Sequence, residues 1–363
     1  ASGVSRLNYP LIDGVVNGCP SHLLEPSRLQ QIQYSEAFDN AYWTKSGSSV
    51  VSGFTSPKGD ASAFKLVESV LNEQHRLYVT SPINIASGNV TKSFFVKNAG
   101  RSKISIYDYA WGESWATFNL TNGSVIDTGG VGFINSNIEL MINGFYKISM
   151  SFTPHSGGQT RMGYHILDDS YTSGTPSGYT YQGDGTSGVY IYGAQIEQGS
   201  YATSYIPNYG TSAGITRSAE TANDAGDAST FNDSEGVLMA EISALADDGT
   251  DRVLGVSDGS ANNRIILYYN SSNNLVAQVY SISNNLQSTI TVTDFDITNF
   301  SKASIKYDTN SIKLYLNGFL RESKSIATAP INLSELAFDN GVGGADFYGS
   351  TKQIQYFDSA LND

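Results

Sequence analysis

The chain has 363 residues, of which 40% are hydrophobic and 15% charged, with 36 Gly, 23 Tyr and a formal net charge of −13. Few Lys and Glu beside many Tyr and Gly indicate a mainly β protein, because helical surfaces favour Lys, Glu and Arg. The order of apolar residues excludes a coiled coil and a disordered chain, and no apolar run is long enough to predict a membrane span. The negative net charge argues against non-specific nucleic-acid binding, which depends on Lys and Arg facing phosphates.

Short runs with alternating apolar residues recur along the chain and predict strands. They lie at residues 93–97, 103–107, 146–152, 189–192, 264–268, 275–280, 303–307 and 312–316. Turn signals such as Asn122-Gly123, Asp184-Gly185 and Asn317-Gly318 separate them. No long helical pattern intervenes, so the predicted fold class is all-β, with two tandem β-sandwich (jelly-roll) domains.

Composition suggests where the domains end. Residues 1–33 contain three prolines and are predicted to be an irregular N-terminal segment, followed by a first sandwich over 34–210. Residues 211–230 are small and polar, as linkers are, and a second sandwich is predicted over 231–363. The lone Cys19 excludes an intramolecular disulfide, no signal peptide is visible, and the abrupt ends suggest a piece of a longer protein.

Two pairs of phrases carry a family resemblance. The first pair is GCPSHLLEP with YSEAFDNAYWTK in 18–45, and the second is YGAQIEQGSYATSYIP with GITRSAE in 192–220. Together they resemble a family of bacteriophage tail-fibre and head-fibre proteins, in which such phrases bracket a carbohydrate-binding-module-like jelly roll. The phrases GVLMAEI, KLYLNG and YGSTKQIQYFDSAL, at 236–242, 313–318 and 348–361, resemble the concanavalin A-like (laminin G-like) sandwich.

The resemblance implies a non-catalytic virion fibre or adhesin segment that is lectin-like and binds host-surface or environmental polysaccharide during host attachment. It also implies homo-oligomerisation as a trimer and contact with other virion proteins. One alternative is a carbohydrate-binding module of a secreted polysaccharide-degrading enzyme, which would be extracellular. The other alternative is a polysaccharide depolymerase or lyase.

Aromatic residues are the candidates for glycan contact, because sugar C–H faces stack on flat rings. Alternation places Tyr107, Tyr109 and Trp111 on one face of a strand, with Trp115 shortly after. Residues 171–181 form a loop rich in Gly, Ser, Thr and Tyr, a composition typical of antibody paratopes. Its three rings are predicted to contact a ligand or partner: Tyr171, Tyr179 and Tyr181.

Catalysis is not predicted. Asp294 and Asp296 share one strand face, but no third carboxylate follows to complete the arrangement of sandwich glucanases. A lyase would use a base and a charge neutraliser, and His155, Arg161 and Tyr164 supply those residue types.

A structural calcium ion is the one cofactor that the resemblance suggests, since carboxylates in loops are the ligands it prefers. The candidate ligands are Asp168, Asp169, Asp247, Asp248, Asp251, Asp339 and Asp346. The alternative is that these residues are there because Asp and Asn favour turns.

Overall fold

A computed structural model describes residues 6–85, 88–109, 114–154 and 158–361. The strands are, in chain order, β1 (Leu7–Asn8), β2 (Leu11–Ile12), β3 (Val15–Val16), β4 (Ser21–Leu24), β5 (Arg28–Gln30), β6 (Trp43–Ser46), β7 (Ser48–Phe54), β8 (Ala63–Glu68), β9 (Asn72–Glu73), β10 (His75–Val79), β11 (Ile83–Asn84), β12 (Val90–Ala99), β13 (Lys103–Asp108), β14 (Trp115–Asn119), β15 (Ser124–Gly129) and β16 (Phe133–Leu140). They continue with β17 (Tyr146–Phe152), β18 (Gln159–Thr160), β19 (Met162–Leu167), β20 (Tyr181–Gln182), β21 (Gly188–Gln198), β22 (Ile215–Arg217), β23 (Gly236–Ala244), β24 (Arg252–Ser257), β25 (Arg264–Tyr269), β26 (Leu275–Ser281), β27 (Asn285–Val292), β28 (Ser301–Tyr307), β29 (Ser311–Leu316), β30 (Phe319–Ser325), β31 (Glu335–Ala337) and β32 (Gly349–Phe357). One 3₁₀ turn, Ile142–Gly144, is the single helical element among the described residues.

The all-β prediction is confirmed, and the chain forms two compact units. The first, here called the N-terminal sandwich, comprises Leu11–Asn17 and Ser27–Ser218. The second, the C-terminal sandwich, comprises the described residues of Ala1–Pro10, Gly18–Pro26 and Ala219–Asp363. Within the described residues, no helix is long and apolar enough to cross a membrane.

The N-terminal sandwich packs two six-stranded antiparallel sheets face to face. The front sheet has the order β15-β14-β13-β19-β10-β6, and the back sheet has the order β16-β17-β12-β21-β8-β7. Alternate residues of each strand point between the sheets, as the period-two pattern requires. The resulting core includes Trp43, Leu77, Phe94, Ile106 and Tyr164. The remaining residues of each front-sheet strand therefore point to the outer face of that sheet.

The C-terminal sandwich pairs a seven-stranded sheet, β1-β4-β32-β23-β28-β29-β30, with a five-stranded sheet, β27-β26-β25-β24-β31. Its core is largely aliphatic and includes Leu238, Leu254, Leu267, Ile305 and Leu314. Among the described residues, the paired strands of both units run antiparallel to one another.

The N-terminal segment differs from its prediction as irregular chain. Between its prolines, β4 pairs with β32 at the register Gly349↔Leu24, so it extends the seven-stranded sheet. Leu24 belongs to the core there, and burial of this apolar side chain explains the pairing. Within the predicted linker, β22 pairs with β5 at Thr216↔Leu29, so this part of 211–230 is also ordered as a strand.

Candidate functional site

The outer face of the front sheet carries two rows of side chains that run across its strands. Directly paired residues make up the first, the aromatic row: Gly129, Trp115, Tyr107, Gly163, Tyr78 and Thr44. The next outward-facing residues make up the second, the polar row: Asp127, Thr117, Ser105, His165, Arg76 and Ser46. Rings thus lie beside hydrogen-bonding groups on a single surface.

Two glycines leave room for rings on this surface. A Cβ built on Gly163 would overlap the ring of Tyr109, and a Cβ built on Gly129 would overlap the indole of Trp115. Each ring therefore occupies space that a side chain at the glycine would fill. Tyr109 and Trp115 are half-buried, so part of each side chain remains accessible to a ligand. A partly accessible aromatic ring in a fixed position is a surface on which a sugar can stack.

Neighbouring rings hold Tyr109 in place. Its ring centroid lies 4.7 Å from that of Tyr107 and 5.2 Å from that of Tyr78. The Tyr109 hydroxyl and His165 Nε2 are hydrogen-bonded, and the two rings are stacked at 5.5 Å. Burial raises the pKa of Tyr109, so its hydroxyl stays protonated at neutral pH.

His165 is a neutral supporting residue. It is 1% exposed. Burial, and then the positive charge of Arg76, lower its pKa from 6.5 to about 3. A neutral imidazole hydrogen-bonded to Tyr109 fixes the ring orientation without adding charge to the surface.

A buried ion pair fixes the end of β13, from which Tyr109 follows. Asp108 points to the opposite face from Tyr109, and its Oδ1 accepts hydrogen bonds from Lys92 Nζ at 2.8 Å and Thr160 Oγ1 at 2.9 Å. Lys92 is fully buried, and its Nζ also donates to the carbonyl oxygen of Arg161 at 2.7 Å. Burial lowers the pKa of Lys92, although Asp108 opposes this shift. The pair ties β12, β13 and the chain before β19 together beneath the site.

The predicted β13 aromatics fall on this face, with different exposures. Tyr107 and Tyr109 share the outer face as alternation predicted, but Tyr107 is completely buried and supports Tyr109 rather than being accessible itself. Trp115 is half-buried, and its Nε1 donates to Asp127 Oδ2 at 3.2 Å. Trp111 lies outside the described residues.

Two of the three rings of the 171–181 loop that are predicted to contact a ligand or partner, Tyr171 and Tyr181, are only 2% and 6% exposed, so little of either ring is available for such a contact. Tyr171 packs over the front sheet, where its hydroxyl lies 3.5 Å from Thr117 Oγ1. Tyr181 donates to the buried Glu68 carboxylate at 2.7 Å. Tyr179 is half-buried, and its hydroxyl donates to Asp168. The loop folds back on the sandwich because these hydroxyls find partners there.

The sequence patterns used above did not identify most residues of the two rows, including Arg76, Tyr78, Gly129 and Gly163. A usable signal was present in residues 75–79, His-Arg-Leu-Tyr-Val, where alternation places Arg76 and Tyr78 on one face. A glycine inside a strand pattern also indicates close approach of another group. Gly163 lies inside β19 and fits this rule.

The carboxylates proposed for calcium have other partners. Asp248 pairs with the buried Arg252 guanidinium at 2.7 Å, and Asp168 accepts from Tyr179 and Ser170. The remaining candidates lie at separate places along the chain, and the last of them forms an isolated β-bridge with Val253: Asp169, Asp247, Asp251, Asp339 and Asp346. In the described part of the chain, no group of three or more His, Cys, Asp or Glu is placed to hold a metal. Calcium binding remains a prediction from the resemblance.

Of the residues considered for a lyase, Tyr164 is not accessible to a substrate. Tyr164 is completely buried in the core, with its ring centroid 3.9 Å from that of Phe94. Burial raises its pKa well above the ordinary value, which opposes action as a base. His155 lies outside the described residues.

A separate shallow cleft of about 210 Å³ lies elsewhere on the N-terminal sandwich. Carboxamide, hydroxyl and ring side chains contribute to its lining, among them Gln31, Gln33, Tyr42, Asn84 and Ser212. Burial raises the pKa of Tyr42 to about 12. The cleft is polar but lacks the paired rings of the front-sheet surface.

No family model and no curated protein matches the chain. Among solved structures, it is similar to the sialidase CBM40 of Ruminococcus gnavus, at 13% identity over 39% of this chain and 89% of that chain, with a TM-score of 0.32. It is also similar to CG-16, a homodimeric agglutinin from chicken liver, at 10% identity over 38% and 99% of the two chains, with a TM-score of 0.28. A third similar structure is a toad ovary galectin in complex with thio-digalactose, at 13% identity over 38% of this chain and 99% of that chain, with a TM-score of 0.28.

Proposed function

We propose that this protein is a non-catalytic glycan-binding segment, and that the outer face of the front sheet is its binding surface. The observation that carries the proposal is the placement of Tyr109 and Trp115, each packed against a glycine of the front sheet and half-buried. Sugar C–H faces stack on such rings, while Arg76 and the ring hydroxyls supply hydrogen bonds beside them.

The surface suits binding better than chemistry. Its one imidazole, His165, is buried and neutral over most of the pH range, so it is a poor proton carrier. The rings and the guanidinium are not general bases at neutral pH. The carboxylate of the polar row, Asp127, accepts hydrogen bonds from Trp115 Nε1 and the backbone N–H of Gly174. A depolymerase that used Tyr164 would need that ring in solvent, whereas it lies in the core.

The setting that we propose is a bacteriophage fibre or adhesin, on the resemblance of residues 18–45 and 192–220 to such proteins. In that setting the chain would be virion-associated, trimeric and in contact with other virion proteins. The alternative setting is a binding module of a secreted polysaccharide-degrading enzyme. Sedimentation of the full chain separates them, because a trimer favours the fibre and a monomer favours the module.

The experiment that tests glycan binding is a glycan array probed with the full chain and two variants. Tyr109→Ala removes the ring above Gly163. Tyr209→Ala removes a ring that is 71% exposed and lies outside both rows. We expect wild type and Tyr209→Ala to bind the same glycans and Tyr109→Ala to lose them. No binding by the wild type, or equal loss in both variants, would contradict the proposal.

A further inference from the structure

Arg76 occupies a distinctive position in the proposed site. Its guanidinium carbon lies 5.2 Å from the ring centroid of Tyr78 and 5.6 Å from that of Tyr109. The guanidinium therefore lies beside the two rings, and the Arg76 side chain is half-buried, so part of it remains accessible. Gln74 Oε1 accepts one hydrogen bond, from Nη1 at 3.2 Å.

Arg76 has no acidic partner among the described residues, since no carboxylate oxygen there lies within 4.0 Å of its guanidinium. Other arginines of this chain are paired: Arg6 with Glu25, Arg101 with Glu68, and Arg252 with Asp248. The Nε of Arg76 is buried and has no hydrogen-bond partner in the described part of the chain. The positive charge of Arg76 is therefore not neutralised by a carboxylate of the described residues, and an anionic ligand could supply the missing partner.

Resting on the proposed function, we propose that Arg76 binds the anionic group of an acidic sugar, a carboxylate or a sulfate, beside the stacking rings. A guanidinium can present two parallel N–H groups to two anionic oxygens. The nearest carboxylate of the polar row, Asp127, stands four strands away and accepts from Trp115. Although the chain has a net charge of −13, the guanidinium of Arg76 is a local attraction for an anion on this face.

The test compares acidic polymers with their neutral counterparts, using the full chain. Polygalacturonate and its fully methyl-esterified form test a carboxylate, and dextran sulfate and dextran test a sulfate. Three variants are measured beside wild type: Arg76→Gln, Arg76→Lys, and Arg321→Gln as control, which removes an equal charge from an exposed position on β30. Binding is measured by affinity electrophoresis at two salt concentrations, and urea unfolding verifies that each variant is folded.

We expect wild type to bind at least one acidic polymer tenfold or more tightly than its neutral form. Arg76→Gln should abolish this preference, Arg76→Lys should retain part of it because the charge stays while the paired N–H geometry is lost, and Arg321→Gln should keep it. The pair that shows the preference identifies the anionic group.

Other outcomes overturn the inference. Equal binding of acidic and neutral polymers by wild type would contradict it and leave glycan binding standing. An equal loss in Arg76→Gln and Arg321→Gln would assign the preference to overall charge. If no polymer and no glycan of the array binds, the proposed function itself fails. If Arg76→Gln does not fold, the test rests on Arg76→Lys. A folded Arg76→Lys that binds the acidic polymer with the affinity and the preference of wild type would contradict the proposed pair of hydrogen bonds from Arg76.

Discussion

The ring of Tyr109 lies on Gly163, and a side chain at that position would displace it. Gly163 sits between Tyr107 and Tyr78 in one cross-strand row, so the ring fills a gap that the glycine leaves. The backbone of Gly163 is ordinary strand and would accept alanine. The glycine is therefore required by the ring above it, which makes the pair a direct test of the site.

Gly163→Ala should weaken glycan binding by about tenfold, equivalent to about 1.4 kcal/mol, because it tilts Tyr109 off the sheet. In a Tyr109→Ala background the same change should have almost no further effect, since the ring that it displaces is gone. Affinity and urea unfolding of the four proteins complete a double-mutant cycle. Additive losses would show that Gly163 acts independently of Tyr109.

Tyr181→Phe should lower the free energy of unfolding by about 1–3 kcal/mol, because the buried Glu68 carboxylate loses a hydrogen bond of 2.7 Å. Glycan affinity should be unchanged, since the ring is not part of the proposed surface. Tyr209→Phe is the matched control, at a position that is 71% exposed, and should change stability by less than about 0.5 kcal/mol. A loss of affinity with unchanged stability would return Tyr181 to the binding surface.

The sequence predicts the positions of some of these side chains but not of others. The shared face of Tyr107 and Tyr109 is predictable, because alternation is a local property of a strand. The burial of Tyr181 is not, because its partner Glu68 is 113 positions away and only the folded chain brings them together. The burial of Leu24 in the core of the C-terminal sandwich is not predictable either. Its strand, β4, pairs with β32, which is far away in the sequence and becomes a neighbour only in the folded chain.

His165 should make stability depend on pH. Its pKa in the folded chain is about 3, against 6.5 without burial and the charge of Arg76. Between these values the unfolded chain binds a proton that the folded chain does not, so stability rises with pH and is lost as pH falls from 6.5 towards 3. The slope from one such proton is about 1.4 kcal/mol per pH unit.

The measurement for His165 is urea unfolding at several pH values between 4 and 7.5 for wild type and His165→Gln. Carboxylates titrate in both proteins, so the difference between the two curves isolates the imidazole. We expect that difference to change with pH below about 6.5 and to be flat above it. Parallel curves throughout would mean that His165 has the same pKa in the folded and the unfolded chain, which would contradict the shift.

Asp248 distinguishes an ion pair from a calcium ligand. It neutralises Arg252, whose side chain is 1% exposed, at 2.7 Å. Asp248→Asn should therefore lower the free energy of unfolding by about 3–5 kcal/mol, because it leaves a buried guanidinium unpaired.

A chelator should leave the Tm of wild type unchanged, since a metal bound only to the folded state would otherwise stabilise it by mass action. The control is Asp251→Asn. Asp251 is exposed and lies immediately before the first residue of β24, so this change should have little effect on stability. A fall in Tm with chelator, reversed by added calcium and absent in Asp248→Asn, would assign this carboxylate to a metal site instead.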